Sequence, residues 1–350
     1  MKLCKVSEIK GSERLARPIM TSNYQELLAA GTVLKPEYIP KIIQLGITEV
    51  FIEDSKLNPE QVAILREDVE DLFKEKVRSV MERHIYNKNS DLEELSKTAD
   101  VIITNILSND ELVEQIYDIR ERSADIYEHS ISVCSLAVLV AVKYGLDKDE
   151  IHDLGVACLF HDIGLRYLDF EYANVMIEEL EDRKKKEYRK HPALAYSSLE
   201  KEKWITENSR SMILMHHERL DGSGYPLHTK ESSVSAQILQ VCDTFDEMIC
   251  GIGCERARVY EAVEFMKYSK NVFYIEEVVN ILLDFTAVYP AGTVVILNTN
   301  EMGVVVRQNR QFPERPVLKI IKDANGKIID EDVICDLLEV HNVYIEKVLL

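Results

Sequence analysis

His161-Asp162 closes an apolar run of this chain, and the block His216-His217-Glu218-Arg219-Leu220-Asp221-Gly222-Ser223-Gly224-Tyr225-Pro226 follows further along. Imidazoles beside a carboxylate bind hard-to-borderline divalent metals. A glycine-rich turn lets backbone N–H groups approach a phosphate closely. Together the two stretches predict metal-assisted phosphoester chemistry.

The sequence around these stretches is helical by its periodicity, from Asp125 to about Phe285. One apolar stripe leads directly into His161 and consists of Ile151, Leu154, Ala157, Leu159 and Phe160. An earlier stripe consists of Ile131, Leu136, Leu139 and Val142. A later helix is expected over roughly Val234 to Cys250. Several helices should therefore converge on the histidines.

The two ends of the chain have different patterns of apolar and turn-forming residues from those of the helical region. Residues 1–58 mix short extended pieces with a helix and predict a small α/β regulatory module, and 59–120 read as an amphipathic helical connector. From about 287 onward, short β-type runs and the turn Asn325-Gly326 predict a small β module. The predicted fold is mainly α, with the metal chemistry in a helical domain over 121–286.

Composition limits the partners. The 350 residues carry a formal net charge of -19, which disfavours nucleic-acid polymers and anionic membrane surfaces but allows a small anionic substrate at a metal centre. Seven scattered cysteines indicate reduced thiols in a cytoplasm, with zinc at Cys250 and Cys254 disfavoured. The N-terminus lacks a signal-peptide pattern, and we expect no membrane span.

Side-chain spacing gives a first picture of the metal site. Asp125 and His129 are four residues apart, so both should project from one helix face. His161 and Asp162 are neighbours, so both can bind only by flanking two ions or where a helix ends. Asp243 could complete the ligand set, while Asp246 steadies a neighbouring imidazole. We expect ordinary roles for the histidines at 84, 152, 228 and 341.

These residues carry a resemblance to the HD-GYP group of the HD phosphohydrolase superfamily, bacterial phosphodiesterases that hydrolyse cyclic di-GMP. The matching pieces are Glu128-His129-Ser130, His161-Asp162-Ile163-Gly164, His191-Pro192, the block from His216 to Pro226, Cys242-Asp243-Thr244-Phe245-Asp246, Tyr289-Pro290-Ala291-Gly292-Thr293-Val294-Val295 and Gly303-Val304-Val305-Val306. The resemblance covers about Ser123 to Val306 and implies a helical HD-type domain. The first 120 residues are only loosely similar to regulatory modules found before such domains.

The resemblance implies a centre of two or three divalent transition-metal ions, Fe or Mn, with Asp162 as the bridging ligand. Its ligands would be His129, His161, Asp162, His191, His216, His217 and Asp243, with Asp125 at the place of a glutamate in trinuclear members. A hydroxide between the ions would attack phosphorus and release linear pGpG or GMP. Gly222, Gly224 and Tyr225 would line the substrate pocket. A second copy of the chain is a further candidate partner.

Two departures from the family pattern affect substrate contacts. Leu165 stands where the family usually has a lysine, and we expect it on the helix face of His161. The usual Arg-Pro-Tyr segment is replaced by the stretch from Cys250 to Arg258. Arg256 or Arg258 is the candidate phosphate contact there, with Arg256 preferred, although an exposed arginine at a helix start is the plainer interpretation.

Three hypotheses remain open at this stage. The first is a working cyclic di-GMP phosphodiesterase. The second is a metal-binding but catalytically weak relative that senses the dinucleotide or serves as an interaction module. The third is a metal phosphohydrolase of another nucleotide, which the intact Gly-Tyr-Pro block disfavours.

Overall fold

The structure is a computed structural model. It describes residues 2–349 except 17, 21–25, 30, 46, 54–62, 66, 88–91, 108–115, 120, 121, 123, 310 and 311. Residues 62–288 form one compact unit, and residues 1–61 and 289–350 together form another. The predicted boundaries at 58/59 and 120/121 lie outside the described residues, and the proposed four-part division stays a prediction.

The central unit is helical, which confirms the mainly α fold class. Its helices are α2 (Glu67–Asn87), α3 (Glu93–Leu107), α4 (Ile126–Tyr144), α5 (Lys148–Phe160), α6 (Asp182–Tyr188), α7 (His191–Ser198), α8 (Glu207–Met215), α9 (Val234–Cys250), α10 (Val259–Ser269) and α11 (Glu276–Asp284). Short 3-10 helices cover Ile163–Tyr167 and Ile177–Glu179. The predicted bounds of α9 are confirmed, because Ser233 caps its first turn and Gly251 ends it in a left-handed conformation.

α4 is the central core helix. Asp125 caps its N-terminus by accepting the N–H groups of Tyr127 and Glu128, and Gly145 ends it with φ 93°. The helix is long and apolar enough to meet the length and composition of a membrane span, contrary to the sequence expectation. However, 78% of its apolar stretch is buried inside the protein, as expected for a core helix.

α5 ends where the decisive motif begins. Asp147 and Glu150 form a capping box at its start. The helix stops at Phe160, so His161 is its C-cap and Asp162 precedes the 3-10 helix. Because the backbone changes direction here, two neighbouring side chains can reach a common centre, as the sequence required.

The terminal unit contains the α/β and β segments predicted from sequence. Near the N-terminus, β1 (Lys2–Lys5) pairs with β4 (Glu49–Ile52), β2 (Ile19–Met20) pairs with β3 (Glu26–Leu28), and α1 spans Ile39–Gln44. The C-terminal strands are β5 (Val294–Leu297), β6 (Met302–Arg307), β7 (Val317–Lys322), β8 (Ile328–Asp336) and β9 (Ile345–Leu349). They form an antiparallel sheet in the order β8-β7-β6-β5-β9. Gly326, at the predicted turn, has φ 80°.

Candidate metal centre

Seven side chains from five parts of the helical unit meet in two neighbouring groups. One group contains His129, His161 and Asp243, and the other contains Asp162, His191, His216 and His217. His129 comes from the first turn of α4 and Asp243 from within α9. The other five lie where a helix begins or just after one ends. Six of the seven are fully buried, and the His217 side chain is 9% exposed. The ligand set implied by the resemblance is thus brought together.

Asp162 lies between the two groups. Its Oδ2 is 3.5 Å from His129 Nε2 and 3.6 Å from His161 Nε2. Its Oδ1 is 3.3 Å from His191 Nε2 and 3.7 Å from His216 Nε2. Neither oxygen has a hydrogen-bond partner within the described part of the chain, although both are buried. A buried carboxylate with each oxygen turned to a different set of imidazoles is the arrangement of a bridging ligand.

The imidazole nitrogens turn towards one another. Nε2 of His129 lies 3.1 Å from Nε2 of His161, and Nε2 of His191 lies 3.0 Å from that of His216 and 3.1 Å from that of His217. Two nitrogens bound to one ion at about 2.0–2.1 Å are themselves about 3 Å apart. The spacing and the donor types therefore fit divalent cations, and the clustered residues constitute a divalent-metal-binding site.

Three histidines are oriented by the backbone three residues earlier. Nδ1 of His161 donates to Cys158 O at 2.7 Å, Nδ1 of His191 to Tyr188 O at 2.8 Å, and Nδ1 of His216 to Ile213 O at 2.6 Å. A proton on Nδ1 leaves the Nε2 lone pair for a metal. The break at each helix end makes these carbonyls available, because they no longer serve a following turn.

His129 is oriented by a side chain instead. Its Nδ1 lies 2.7 Å from Asp246 Oδ2, which confirms the contact predicted for Asp246. Asp246 also accepts hydrogen bonds from Arg122 and from Ser132, the latter at 2.7 Å. Burial opposes ionisation of Asp246, but Arg122 and His129 outweigh it and lower its pKa. The carboxylate is therefore charged and strengthens the donor character of His129.

The carboxylates and imidazoles of the cluster have shifted pKa values, because they are buried beside one another. Burial raises the pKa of Asp162, but His161, His191 and His216 together hold it well below its ordinary value. Burial and the neighbouring His216 hold the pKa of His217 well below its ordinary value. In the other group the carboxylates have the opposite effect: against the effect of burial, Asp243 and its neighbours raise the pKa values of His129 and His161. A divalent ion would take the place of the protons that these two imidazoles otherwise hold beside the carboxylates.

Asp125 does not join either group of ligand atoms among the described residues, contrary to the expectation that it shares a helix face with His129. The i, i+4 argument assumed that both residues lie inside the helix, whereas Asp125 is the N-cap, with extended φ and ψ. Its carboxylate lies 2.9 Å from Arg78 and 3.2 Å from Lys74. Both oxygens of the Asp125 carboxylate therefore have partners: the two cations lie at one oxygen, and the capped N–H groups donate to the other.

Two glutamates near the centre were not predicted from the sequence. Glu247 lies one turn after Asp243 and forms a further candidate ligand group with His217 and Asp243; the i, i+4 spacing was the available signal. Burial, followed by Asp243 and Asp162, raises its pKa well above the ordinary value. Buried Glu218 accepts the N–H groups of Leu227, His228 and Thr229, so it shapes the loop after the histidine pair.

The glycine loop has more internal structure than expected. Gly222 has φ 80°, which favours glycine, and its N–H donates to Arg219 O instead of remaining available to a phosphate. A Cβ on Gly224 would overlap His217 O and Glu218 Cα, so this glycine permits close packing against the histidine pair. Tyr225 lies against His217, with ring centroids 4.6 Å apart. The substrate-binding roles of all three residues stay predictions.

The two departures from the family pattern also have definite positions. Leu165 is buried in the 3-10 helix Ile163–Tyr167 and does not continue the face of α5, because that helix has ended at Phe160. Arg256 is exposed, and its guanidinium donates to Arg122 O at 3.5 Å. The described contacts give Arg256 a structural partner, and its phosphate contact stays a prediction.

Family comparison agrees with this architecture. The family described as "HD domain" matches residues 111–277, and the family described as "KOW domain associated with HD domain" matches residues 294–350. The solved structure of Bd1817, an HDG"Y"P protein from Bdellovibrio bacteriovorus, has a similar fold. The TM-score is 0.53, with 16% identity, over 81% of this chain and 98% of that one. The fold and the histidine-aspartate cluster define an HD-domain protein.

Two curated relatives extend the comparison. The chain is 25% identical to the cyclic di-GMP phosphodiesterase PA4108 of Pseudomonas aeruginosa, over 69% of this chain and 59% of that protein. It is 26% identical to the cyclic di-GMP phosphodiesterase PdeB of Borreliella burgdorferi, over 58% of this chain and 54% of that protein. The chain thus spans less than two thirds of either relative. With the intact Gly-Tyr-Pro block, these findings show that it belongs to the HD-GYP family.

Proposed function

We propose that this protein hydrolyses the phosphodiester bonds of cyclic di-GMP at a centre of two or three divalent ions, releasing linear pGpG, GMP or both. The observation that carries the proposal is Asp162, whose two buried oxygens face two separate sets of imidazoles. The curated relatives are cyclic di-GMP phosphodiesterases, which supports the choice of substrate.

The clustered side chains would form two ion-binding positions. His129, His161 and Asp243 would hold one ion, and His191, His216 and His217 a second, with Asp162 shared between them. When bound, such ions polarise the phosphoryl oxygens and acidify a water molecule. The backbone carbonyls and Asp246 fix four of the five imidazoles in advance, so this part of the site needs little reorganisation on binding. Tyr225, packed on His217, would form one wall of the substrate site.

The mixed imidazole and carboxylate donors favour iron or manganese, since imidazole suits iron and carboxylate suits manganese. We place the protein in the cytoplasm because its seven cysteines are odd in number and scattered along the chain, a pattern typical of thiols that stay reduced. A second copy of the chain is kept as a candidate partner. Asp125 is not proposed as a ligand, because it caps α4 and pairs with Lys74 and Arg78.

A second candidate function is a metal-binding sensor of cyclic di-GMP with weak or no turnover. The observation that favours it is the burial of Leu165, which puts an apolar side chain where the family usually has a lysine. A cation beside the scissile phosphate stabilises the developing negative charge, so its loss slows the chemical step more than binding.

Metal analysis together with turnover on anaerobically purified protein distinguishes the two. A phosphodiesterase should contain at least two ions per chain and convert cyclic di-GMP to products resolved by chromatography. A sensor should bind the dinucleotide in calorimetry without releasing product. Metal-loaded protein that neither binds nor cleaves cyclic di-GMP would contradict both and favour a different phosphoester substrate.

A further inference from the structure

An exposed arginine lies at the rim of the metal centre, beside the ring proposed above as one wall of the substrate site. The guanidinium of Arg189 lies over the ring of Tyr225, with Cζ 5.7 Å from the ring centroid. The same ring lies against His217, with ring centroids 4.6 Å apart. A cation and a proposed metal ligand therefore lie against one aromatic side chain.

The backbone ties the position of Arg189 to that of the metal centre. Helix α6 ends at Tyr188, and Arg189 is its C-cap, with its N–H bonded to Lys185 O at 3.0 Å. The carbonyl of Tyr188 accepts the hydrogen bond from Nδ1 of His191 at 2.8 Å. Because Arg189 lies inside this short link, its side chain starts from a fixed point two residues before a proposed ligand.

The guanidinium of Arg189 keeps donors for a ligand. Its Nη2 donates to Glu178 Oε1 at 2.7 Å, and it forms no other hydrogen bond within the described part of the chain. An arginine has five N–H donors. The side chains of this ion pair are 43% and 62% exposed, and such pairs contribute little to stability. The pair therefore orients the guanidinium and leaves most of its donors to a ligand.

The chemistry of these donors fits a guanine base. Guanine presents O6 and N7 as two adjacent acceptors, which one guanidinium binds through two parallel hydrogen bonds, whereas adenine has a donor in place of O6. An arginine stacked on an aromatic ring is well suited to such planar recognition. A phosphate beside Arg189 would be repelled by the negative charge of Glu178, whereas a neutral base would not.

We propose that Arg189 recognises a guanine base of the substrate and so discriminates cyclic di-GMP from cyclic di-AMP. The inference rests on the proposed function, because it names the base contact of the same site. A phosphate bound at the ions leaves its nucleoside to extend past Tyr225 towards the rim, where the guanidinium donates to O6 and N7. This contact lies away from the reacting phosphorus and is equally strong in the ground state and the transition state, so it lowers KM without changing kcat.

The test is steady-state kinetics of metal-loaded protein with both dinucleotides, in which chromatography resolves the products. Arg189→Met keeps an unbranched side chain but removes the donors. Its KM for cyclic di-GMP should rise about 5- to 150-fold, which is the discrimination expected of one bidentate base contact, with kcat and metal content unchanged. The KM of cyclic di-AMP, or its inhibition constant as a competitor, should stay the same.

The matched control is Arg183→Met. Arg183 is an exposed arginine of the same helix, and it pairs with Glu187 at 3.5 Å. Its replacement removes the same charge from α6 and should change the constants of neither dinucleotide.

A second variant separates base recognition from a contact with phosphate. Arg189→Lys keeps the positive charge but loses the planar fork of donors. It should lose most of the discrimination between the two dinucleotides, as Arg189→Met does. Because lysine is the more conservative replacement, it tests the proposal even where Arg189→Met fails to fold.

Each other role of Arg189 gives a different result. Unaltered KM for cyclic di-GMP in Arg189→Met would show that the arginine only packs on Tyr225. Equal weakening of both dinucleotides, or full discrimination in Arg189→Lys, would show a contact with phosphate. A lower kcat with unaltered KM would show an effect on the metal centre alone. Each of these results would overturn the base contact and leave the proposed function standing.

The failure of the proposed function itself has a separate signature. Unmodified, metal-loaded protein that neither binds nor cleaves cyclic di-GMP would overturn the base contact and the proposed function together. If the unmodified protein binds the dinucleotide without releasing product, dissociation constants from calorimetry replace KM. The same changes in Arg189→Met and Arg189→Lys then support the base contact, and unaltered constants overturn it.

Discussion

The two ways in which this centre orients its histidines differ in how easily they can be broken. His161, His191 and His216 each donate to a main-chain carbonyl three residues earlier. His129 depends on Asp246, which is supported in turn by Arg122 and Ser132. Substituting a side chain leaves the main-chain carbonyl of that residue in place, whereas substituting Asp246 removes the carboxylate. Substituting the residue that supplies the acceptor should therefore lower metal affinity for the carboxylate-oriented histidine and leave it unchanged for a backbone-oriented one.

The largest effect should come from Asp162→Ala, which removes the carboxylate shared by both groups. We expect metal content to fall below two ions per chain and turnover of cyclic di-GMP to fall at least about 100-fold, because Lewis-acid stabilisation is worth several kcal/mol. Elemental analysis and a product assay measure the two effects. Full activity in this variant would show that Asp162 does not bridge.

The next largest effect should come from Gly164→Ala, which disturbs the backbone-oriented group through the main chain. A Cβ at this position would overlap the carbonyl oxygen of His191, so the His191 backbone must move. A displacement of about 1 Å can lower turnover about 100-fold. Product assays together with a thermal melt separate this loss from simple unfolding. A folded variant with unaltered turnover would show that the close approach of Gly164 does not position His191.

Asp246→Asn tests the carboxylate-oriented histidine. The amide keeps the size of the side chain but removes the charge that polarises His129, and we expect metal affinity to fall about 10- to 100-fold. A Mn²⁺ titration measures it. Affinity equal to that of the unmodified protein would mean that His129 needs only a neutral acceptor, like the other three histidines.

The smallest effect should come from Cys158→Ala. The acceptor for His161 is the main-chain oxygen of this residue, so truncating its side chain should leave metal affinity unchanged. Loss of the buried sulfur should cost only about 1 kcal/mol of the free energy of unfolding. The same titration checks the affinity, and a decrease comparable to that of Asp246→Asn would remove the distinction between the two modes.

The sequence predicted the main helices because their bounds depend on local patterns, and it predicted which histidines and aspartates come together because their motifs match those of the family. The bounds of α9 follow from its cap residues and apolar periodicity, and the convergence of the histidines followed from the resemblance. Asp125 shows the limit of such reasoning. Its spacing from His129 predicts a position inside the helix, whereas it is the N-cap of α4, and spacing alone does not distinguish the two positions.

The packing of Gly224 and the position of Glu247 could not be predicted from the sequence, for a different reason. The role of Gly224 depends on which backbone lies against it, and here that is the His217–Glu218 segment of its own loop. Glu247 is one of many acidic residues in an acidic chain, and only the fold shows that it lies beside His217. Non-local packing decides both cases, and periodicity carries no information about it.

The i−3 carbonyl contacts also bear on the order in which the site is built during folding. His161, His191 and His216 find their acceptors within one turn, and loops of this length close as the local helices form, before tertiary contacts are needed. His129 must find Asp246 across 117 residues of chain, a contact that carries the larger entropy of loop closure. We therefore expect three imidazoles to acquire their orientation early in folding and the fourth only when α4 and α9 dock, so that docking completes the metal-binding set.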